Sequence, residues 1–263
     1  SAVFARVYGY IDTILLSKLA GETVLGWYSI PYKVTFAFQF IPLALSAAFY
    51  PKISDYYATN QPKIAPAFAG ALRYLLLISF PIAIGIAILA EPIILLMSGP
   101  EYLPSVMPLR ILILSLIFSF LSFPIGSLLN ACHRQRTQTG IVGVVLIVNV
   151  VLNLLLIPRY GAVGSAIAAL VGNALLTAGG FLFVWRTVSL QGAGIGAMAS
   201  KIAVSGLVMG VAVWWIQTLD WRDLRLIGLV AAIGAGALIY GVMLLLTKSM
   251  TWDEIKKFTH RVS

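Results

Sequence analysis

Charge is scarce in this chain. Lys, Arg, Asp and Glu make up 10% of 263 residues, while 60% are hydrophobic. A water-soluble domain carries about a quarter charged residues. One core cannot hide this much apolar surface, so a soluble globular domain is excluded and the solvent for most side chains is lipid. Cysteine is nearly absent: Cys132 stands alone, which excludes a disulfide framework. The two histidines, His133 and His260, lie in separate polar segments and make no ligand cluster, so neither a metal nor a cofactor is expected. No phosphate-binding P-loop, H-E-x-x-H or G-x-S-x-G stretch occurs. Asp12 is the one carboxylate deep in an apolar run, so no acid–base pair can be assembled and an enzyme is not expected.

The chain does have apolar runs. Residues 111–132, 137–158, 160–185 and 226–247 contain no charged side chain, and a membrane-spanning helix needs roughly 20 such residues. Residues 34–51, 74–90 and 202–219 are nearly as good. The mean hydropathy of +0.96 agrees. The expectation is an all-α, polytopic transmembrane helix bundle of eight spans, at about 1–20, 24–49, 67–90, 105–130, 138–157, 161–185, 195–218 and 225–247. Turn chemistry separates them at Gly21, Pro51 to Pro66, Ser98-Gly99-Pro100, Pro158 to Gly161 and Gly192 to Gly196. Ser1 already lies within an apolar stretch, so the expectation is the later part of a longer protein.

Lys and Arg concentrate in alternate loops. Lys52, Lys63, Arg134, Arg136, Arg186 and Lys201 fall on one side, joined by the basic tail from Lys248. Arg159, Arg222 and Arg225 fall on the other, but together with Glu22, Glu101, Asp220 and Asp223. The basic side is read as cytoplasmic, with the tail (248–263) inside and the protein in the cytoplasmic membrane. The formal net charge of +9 then reflects this asymmetry facing anionic lipid, not nucleic-acid binding. Trp252, Ile255 and Phe258 suit a short amphipathic interfacial helix; a frayed basic end fits equally well.

A charge at mid-membrane costs about 2.5–3.5 kcal/mol unless it has a partner or a wet cavity. At about 1.5 Å per residue, Asp12 lies roughly 17 Å into the first span, and Lys33 at a comparable depth in the second. An Asp12–Lys33 pair is therefore geometrically possible, and Asp12 divides between neutralising a nearby cation and binding something itself. Arg110 enters the fourth span from its outer end, and with Lys33 it is assigned to a cavity wall. Arg6 and Arg73 divide between cavity lining and snorkelling, and Lys18 anchors an end. Tyr28, Tyr32 and Gln39 recur at helical spacing, fitting a cavity face that stacks on sugars or ordinary packing. Asn149, Asn153 and Asn173 suit interhelical hydrogen bonding, and Gly206 with Gly210 suits close helix packing.

Four stretches carry a family resemblance: YIDTILLSKLAGETVLGWYSIPYK, FIPLALSAAFYPKIS, LLNACHRQRTQTG and NVVLNLLLIPRYGAVGSAIAALVGN, in that order. Together they resemble the second half of the oligosaccharide (Wzx-like, polysaccharide biosynthesis) flippases. That superfamily of exporters also holds multidrug extruders and lipid II flippases. Asn149, Asn153, Ile157, Pro158, Gly161 and Gly164 carry the densest part of the pattern. The resemblance implies two six-helix lobes around a cavity that opens alternately to each side. It makes residues 1–188 the C-terminal lobe, 189–247 two additional transmembrane helices and 248–263 a cytoplasmic tail. The missing N-terminal lobe, or another subunit, would supply the facing wall. It further implies a polyprenyl-pyrophosphate-linked oligosaccharide as substrate, with Arg6, Lys33, Arg73 and Arg110 as cavity cations. Asp12, Tyr28, Tyr32 and Gln39 would be the polar or charge-paired cavity residues. A cation-coupled multidrug extruder of the same superfamily, with Asp12 as coupling carboxylate, is the alternative. A membrane glycosyltransferase or O-antigen ligase fits less well, because no long loop holds a catalytic set.

Overall fold

The computed structural model describes residues 2–188, 190, 194–218 and 225–247, with side chains from Gly9 onward and, in the last helix, from Gly228. Eight α-helices follow one another: α1 Ala2–Ala37, α2 Phe40–Thr59, α3 Ile64–Ile88, α4 Ala90–Ser98, α5 Val106–Ala131, α6 Gln135–Thr187, α7 Ile195–Gln217 and α8 Arg225–Leu246. Short 3₁₀ turns, Gln61–Lys63 and Pro100–Ser105, join α2 to α3 and α4 to α5. Among the described residues there is no strand. Six helical segments are long and apolar enough to cross a membrane. The chain is therefore a multi-pass membrane protein.

Two of those segments are hairpins. In α1 the backbone leaves helical geometry at Gly21 (φ 83°, ψ 175°), and in α6 at Gly161 (φ 54°, ψ −128°). A positive φ at these sites is open to glycine at no steric cost. That the arms fold back is shown by contact. The Tyr32 hydroxyl donates to the Gly9 carbonyl at 3.1 Å across 23 residues, which a straight helix would hold about 35 Å apart. Likewise, a Cβ at Gly179 would lie 3.3 Å from Ile141. Splitting α1 and α6 at these glycines recovers the eight expected spans.

Three boundaries differ from the sequence reading, the first being that the expected span 24–49 is interrupted at Phe38-Gln39, between α1 and α2. The segment from Pro51 toward Pro66 was expected to be loop, yet α2 runs through Pro51 to Thr59. Packing overrides the proline here: Ile53 is fully buried, and Tyr56 and Tyr57 pack on a cluster that includes Leu128, Leu129 and Cys132. The extra helix α4 follows a break at Leu89; its Ala90 and Ile94 bury against Leu109 of α5. The central helix α5 touches α1, α2, α3 and α6, while α7 packs on α3 and α8. The basic tail from 248 onward lies outside the described residues.

Candidate functional site

The bend at Gly21 brings the two arms of α1 together and sets Asp12 opposite Tyr28. The Tyr28 hydroxyl donates to Asp12 Oδ2 at 3.3 Å. From the first arm of α6, Asn153 Nδ2 donates to Asp12 Oδ1 at 2.7 Å, and also reaches the Asn149 carbonyl and Oδ1 at 2.9 and 3.1 Å. Asp12 is 9% exposed, and Tyr28, Asn149 and Asn153 are fully buried. The Asp12–Lys33 pair does not form. Lys33 is exposed, and one residue past Tyr32 turns it about 100° off the face that Tyr28 and Tyr32 share. The bend at Gly21 sets Asp12 level with Tyr28, five residues before Lys33, so height as well as azimuth separates the two charges. Among the described residues, no cation forms an ion pair with Asp12.

Around that carboxylate several oxygens have unused capacity. Asn153 Oδ1 and Ser165 Oγ are buried with no hydrogen-bond partner, Ser165 facing the Tyr28 hydroxyl without forming a proper bond. Asn149 lies close as well, its Nδ2 short of bonding geometry. Donors from Tyr28 and Asn153 hold the carboxylate, and two unpartnered acceptors, Asn153 Oδ1 and Ser165 Oγ, belong to the same buried cluster. No group of three His, Cys, Asp or Glu that could hold a transition metal exists among the described residues.

From Asp12 a polar seam runs along a groove of about 650 Å³ between α1, α2, α5 and the second arm of α6. Tyr28, Tyr32 and Phe36 stack in a ladder, with centroids 6.1 and 5.8 Å apart. Gln39, in the break between α1 and α2, donates through Nε2 to Ser119 Oγ at 2.9 Å. Asn173 Nδ2 donates to Ser115 Oγ at 3.3 Å, and Thr177 Oγ1 to the Phe118 carbonyl at 2.7 Å. Ser122 completes this wall. Thus Asp12, Tyr28, Tyr32 and Gln39 share one groove. The serines at 115, 119 and 122 escaped notice in the sequence, although their i, i+4, i+7 spacing in an otherwise apolar span was the available signal.

The cations sit elsewhere. Lys33, Arg73 and Arg110 do not line this groove. Arg110 Nε donates to the Ala87 carbonyl at 3.1 Å, so it caps the C-terminal end of α3, where a positive charge is favoured. Arg73 is half-buried on α3. The Arg6 side chain lies outside the described residues.

The MatE family model matches residues 2–155. The chain belongs to the MatE family. It is 24% identical over 265 residues to the probable low-salt glycan biosynthesis flippase Agl15 of Haloferax volcanii, covering 100% of this chain and 55% of that protein. The probable flippase AglR of the same organism is 27% identical over 258 residues, covering 95% of this chain and 52% of its own length. The probable lipid II flippase MurJ of Haemophilus influenzae is 28% identical over 262 residues, covering 90% and 50%. Among solved structures, the lipid II flippase MurJ in an inward closed conformation superposes with a TM-score of 0.71 at 19% identity, covering 90% of this chain and 50% of that one. The fold is therefore that of half of a two-lobe exporter. The chain spans about half the length of the curated relatives it matches, and those relatives are flippases rather than enzymes.

Proposed function

We propose that this MatE chain is the C-terminal lobe of a flippase that carries a polyprenyl-pyrophosphate-linked oligosaccharide across the cytoplasmic membrane by alternating access. Residues 1–188 form the lobe, 189–247 add two helices, and 248–263 form a cytoplasmic tail. The observation that carries this reading is the seam of polar side chains from Asp12 to Ser122, running along an open groove whose remaining wall is apolar. Hydroxyls, amides and stacked tyrosines are what sugars require of a wall. A bundle built only to pack in lipid has no use for an open seam of them. The names of the flippase relatives support the same reading.

The anionic head group needs cations, and Arg6, Lys33, Arg73 and Arg110 are the candidates. Lys33 is exposed, and Arg110 keeps guanidinium nitrogens beyond the one bonded to Ala87. An N-terminal lobe, or another subunit, supplies the opposite wall. Charge reversal tests the reading: Lys33→Glu with Arg110→Glu in the full-length protein is expected to abolish surface polysaccharide while the protein remains inserted. Unchanged export would refute the assignment of these cations.

The cluster at Asp12 favours a second reading, a cation-coupled multidrug extruder of the same superfamily. A carboxylate with no ion-pair partner among the described residues, beside orphaned Asn153 and Ser165 oxygens, is a suitable seat for a driving ion. Drug resistance lost in Asp12→Asn with glycan export intact would establish the extruder. Loss of glycan export together with its dependence on an ion gradient would place the coupling in the flippase.

A further inference from the structure

A second groove shares no residue with the polar one. Its volume is about 600 Å³, and it lies between the two arms of α6. Ile141, Val144 and Val148 form one wall, and Leu175 and Phe183 the other. Gly140 lines it too, and a Cβ there would meet nothing within 4 Å. The surface is apolar and open to the lipid side, with Val144 63% and Leu175 42% exposed. From Thr137 to Val148 it extends about 16 Å, close to half of a bilayer core of about 30 Å. The groove is thus as deep as one leaflet.

One end of it is strongly basic. Arg134 and Arg136 precede Thr137 on the first arm, and Arg186 follows Phe183 by three residues on the second, one turn along the same face. All three are exposed, as is Trp185, a residue type that settles at the headgroup level. The sequence holds no acid between Glu101 and Asp220. Asp55 of α2 lies at this end of the bundle, yet among the described residues none of the three arginines makes an ion pair. Two of them stand at the start of α6, which has no acidic residue in its first turn, so they oppose the helix dipole and one another. Three exposed like charges thus stand just beyond one end of a leaflet-deep apolar slot, an arrangement that an anion with a hydrocarbon chain would complement.

We infer that the groove between the arms of α6 holds one chain of an anionic phospholipid of the surrounding bilayer, its phosphate gripped by Arg134, Arg136 and Arg186. The polar groove is on another face of α6, so this lipid is a structural and regulatory companion, not cargo. It fixes the spacing of the two arms, one of which carries Asn149 and Asn153 to Asp12.

The test uses full-length protein in phosphatidylcholine nanodiscs with a minor fraction of spin-labelled phosphatidylglycerol or, separately, spin-labelled phosphatidylcholine. The immobilised signal should favour phosphatidylglycerol by at least about tenfold, since one to two of the three arginine contacts already suffice for that ratio. Gly140→Leu, which fills the slot, should remove the immobilised component. Arg134→Gln/Arg136→Gln/Arg186→Gln should lower phosphatidylglycerol to the level of phosphatidylcholine. Val144→Trp is a second filling variant should Gly140→Leu fail to insert. Equal immobilisation of both lipids by the unaltered protein would overturn the proposal, as would a phosphatidylglycerol signal that persists in the filled variants. Displacement of the label by an equimolar polyprenyl phosphate would also overturn it, since the occupant would then be the substrate's own tail.

Discussion

Two junctions of this molecule solve the same packing problem in opposite ways. Where α1, α2, α5 and α6 meet, side chains hold the helices through hydrogen bonds and leave an open groove. Where α3, α7 and α8 meet, the helices close on one another through small residues. A Cβ on Gly206 would lie 3.0 Å from Ile84, one on Gly210 2.7 Å from Ile84, and one on Gly236 2.8 Å from Val213. In lipid there is no hydrophobic drive for helices to associate, so they join by close van der Waals contact or by polar bonds. The first solution shuts the interface, and the second allows it to stay ajar. A transport path can be built only from the second.

The contrast can be broken most severely at Asn153. Asn153→Leu removes the shortest bond to the buried carboxylate, and bonds to charged groups are worth about 1.5–3 kcal/mol. Thermal unfolding in detergent should show the loss, and Asn153→Asp should not restore it because it sets a second carboxylate beside Asp12. Next comes Gly210→Leu, which overpacks the closed seam against Ile84 for about 1–3 kcal/mol. Its signature is lower stability with export per folded molecule retained. A smaller effect, about 1 kcal/mol, is expected for Gln39→Leu, which unpairs Ser119. This change should also weaken export, because Gln39 lies on the groove wall. The smallest belongs to Tyr240→Phe. Its hydroxyl donates to the Leu77 carbonyl at 3.0 Å across the closed seam, and losing it should cost about 0.5 kcal/mol with export unaffected. If Tyr240→Phe proved as damaging as Asn153→Leu, the two junctions would not differ in the way described.

The spans were legible in the sequence because a lipid solvent enforces long charge-free runs, and the hairpin turns because Gly21 and Gly161 interrupt them. Pro51 misled, since proline signals a stop locally while the burial of Ile53 beneath Tyr56 and Tyr57 is a property of the assembled bundle. Asp12 is the clearest case in the candidate site. Its depth could be counted. Its actual partner, Asn153, is on a helix whose rotation no count along the chain supplies. Tyr28 and Tyr32 share a face of one helical stretch, and this local relation could be read directly, while Gln39 joins them from the break before α2. The serines of α5 belong to the same groove, but their importance emerges only when Gln39 and Asn173 arrive from other helices.

The bond between Asn153 and Asp12 joins residues 141 positions apart. At about 5–20 residues per second, synthesis of that interval takes roughly ten seconds. Throughout it the first hairpin sits in or beside the membrane with a buried carboxylate missing its main donor. Until α6 arrives, the Tyr28 hydroxyl, on the same hairpin, is the donor within reach of that carboxylate. A buried acid whose donor comes this late ties the completion of the first hairpin to the arrival of α6.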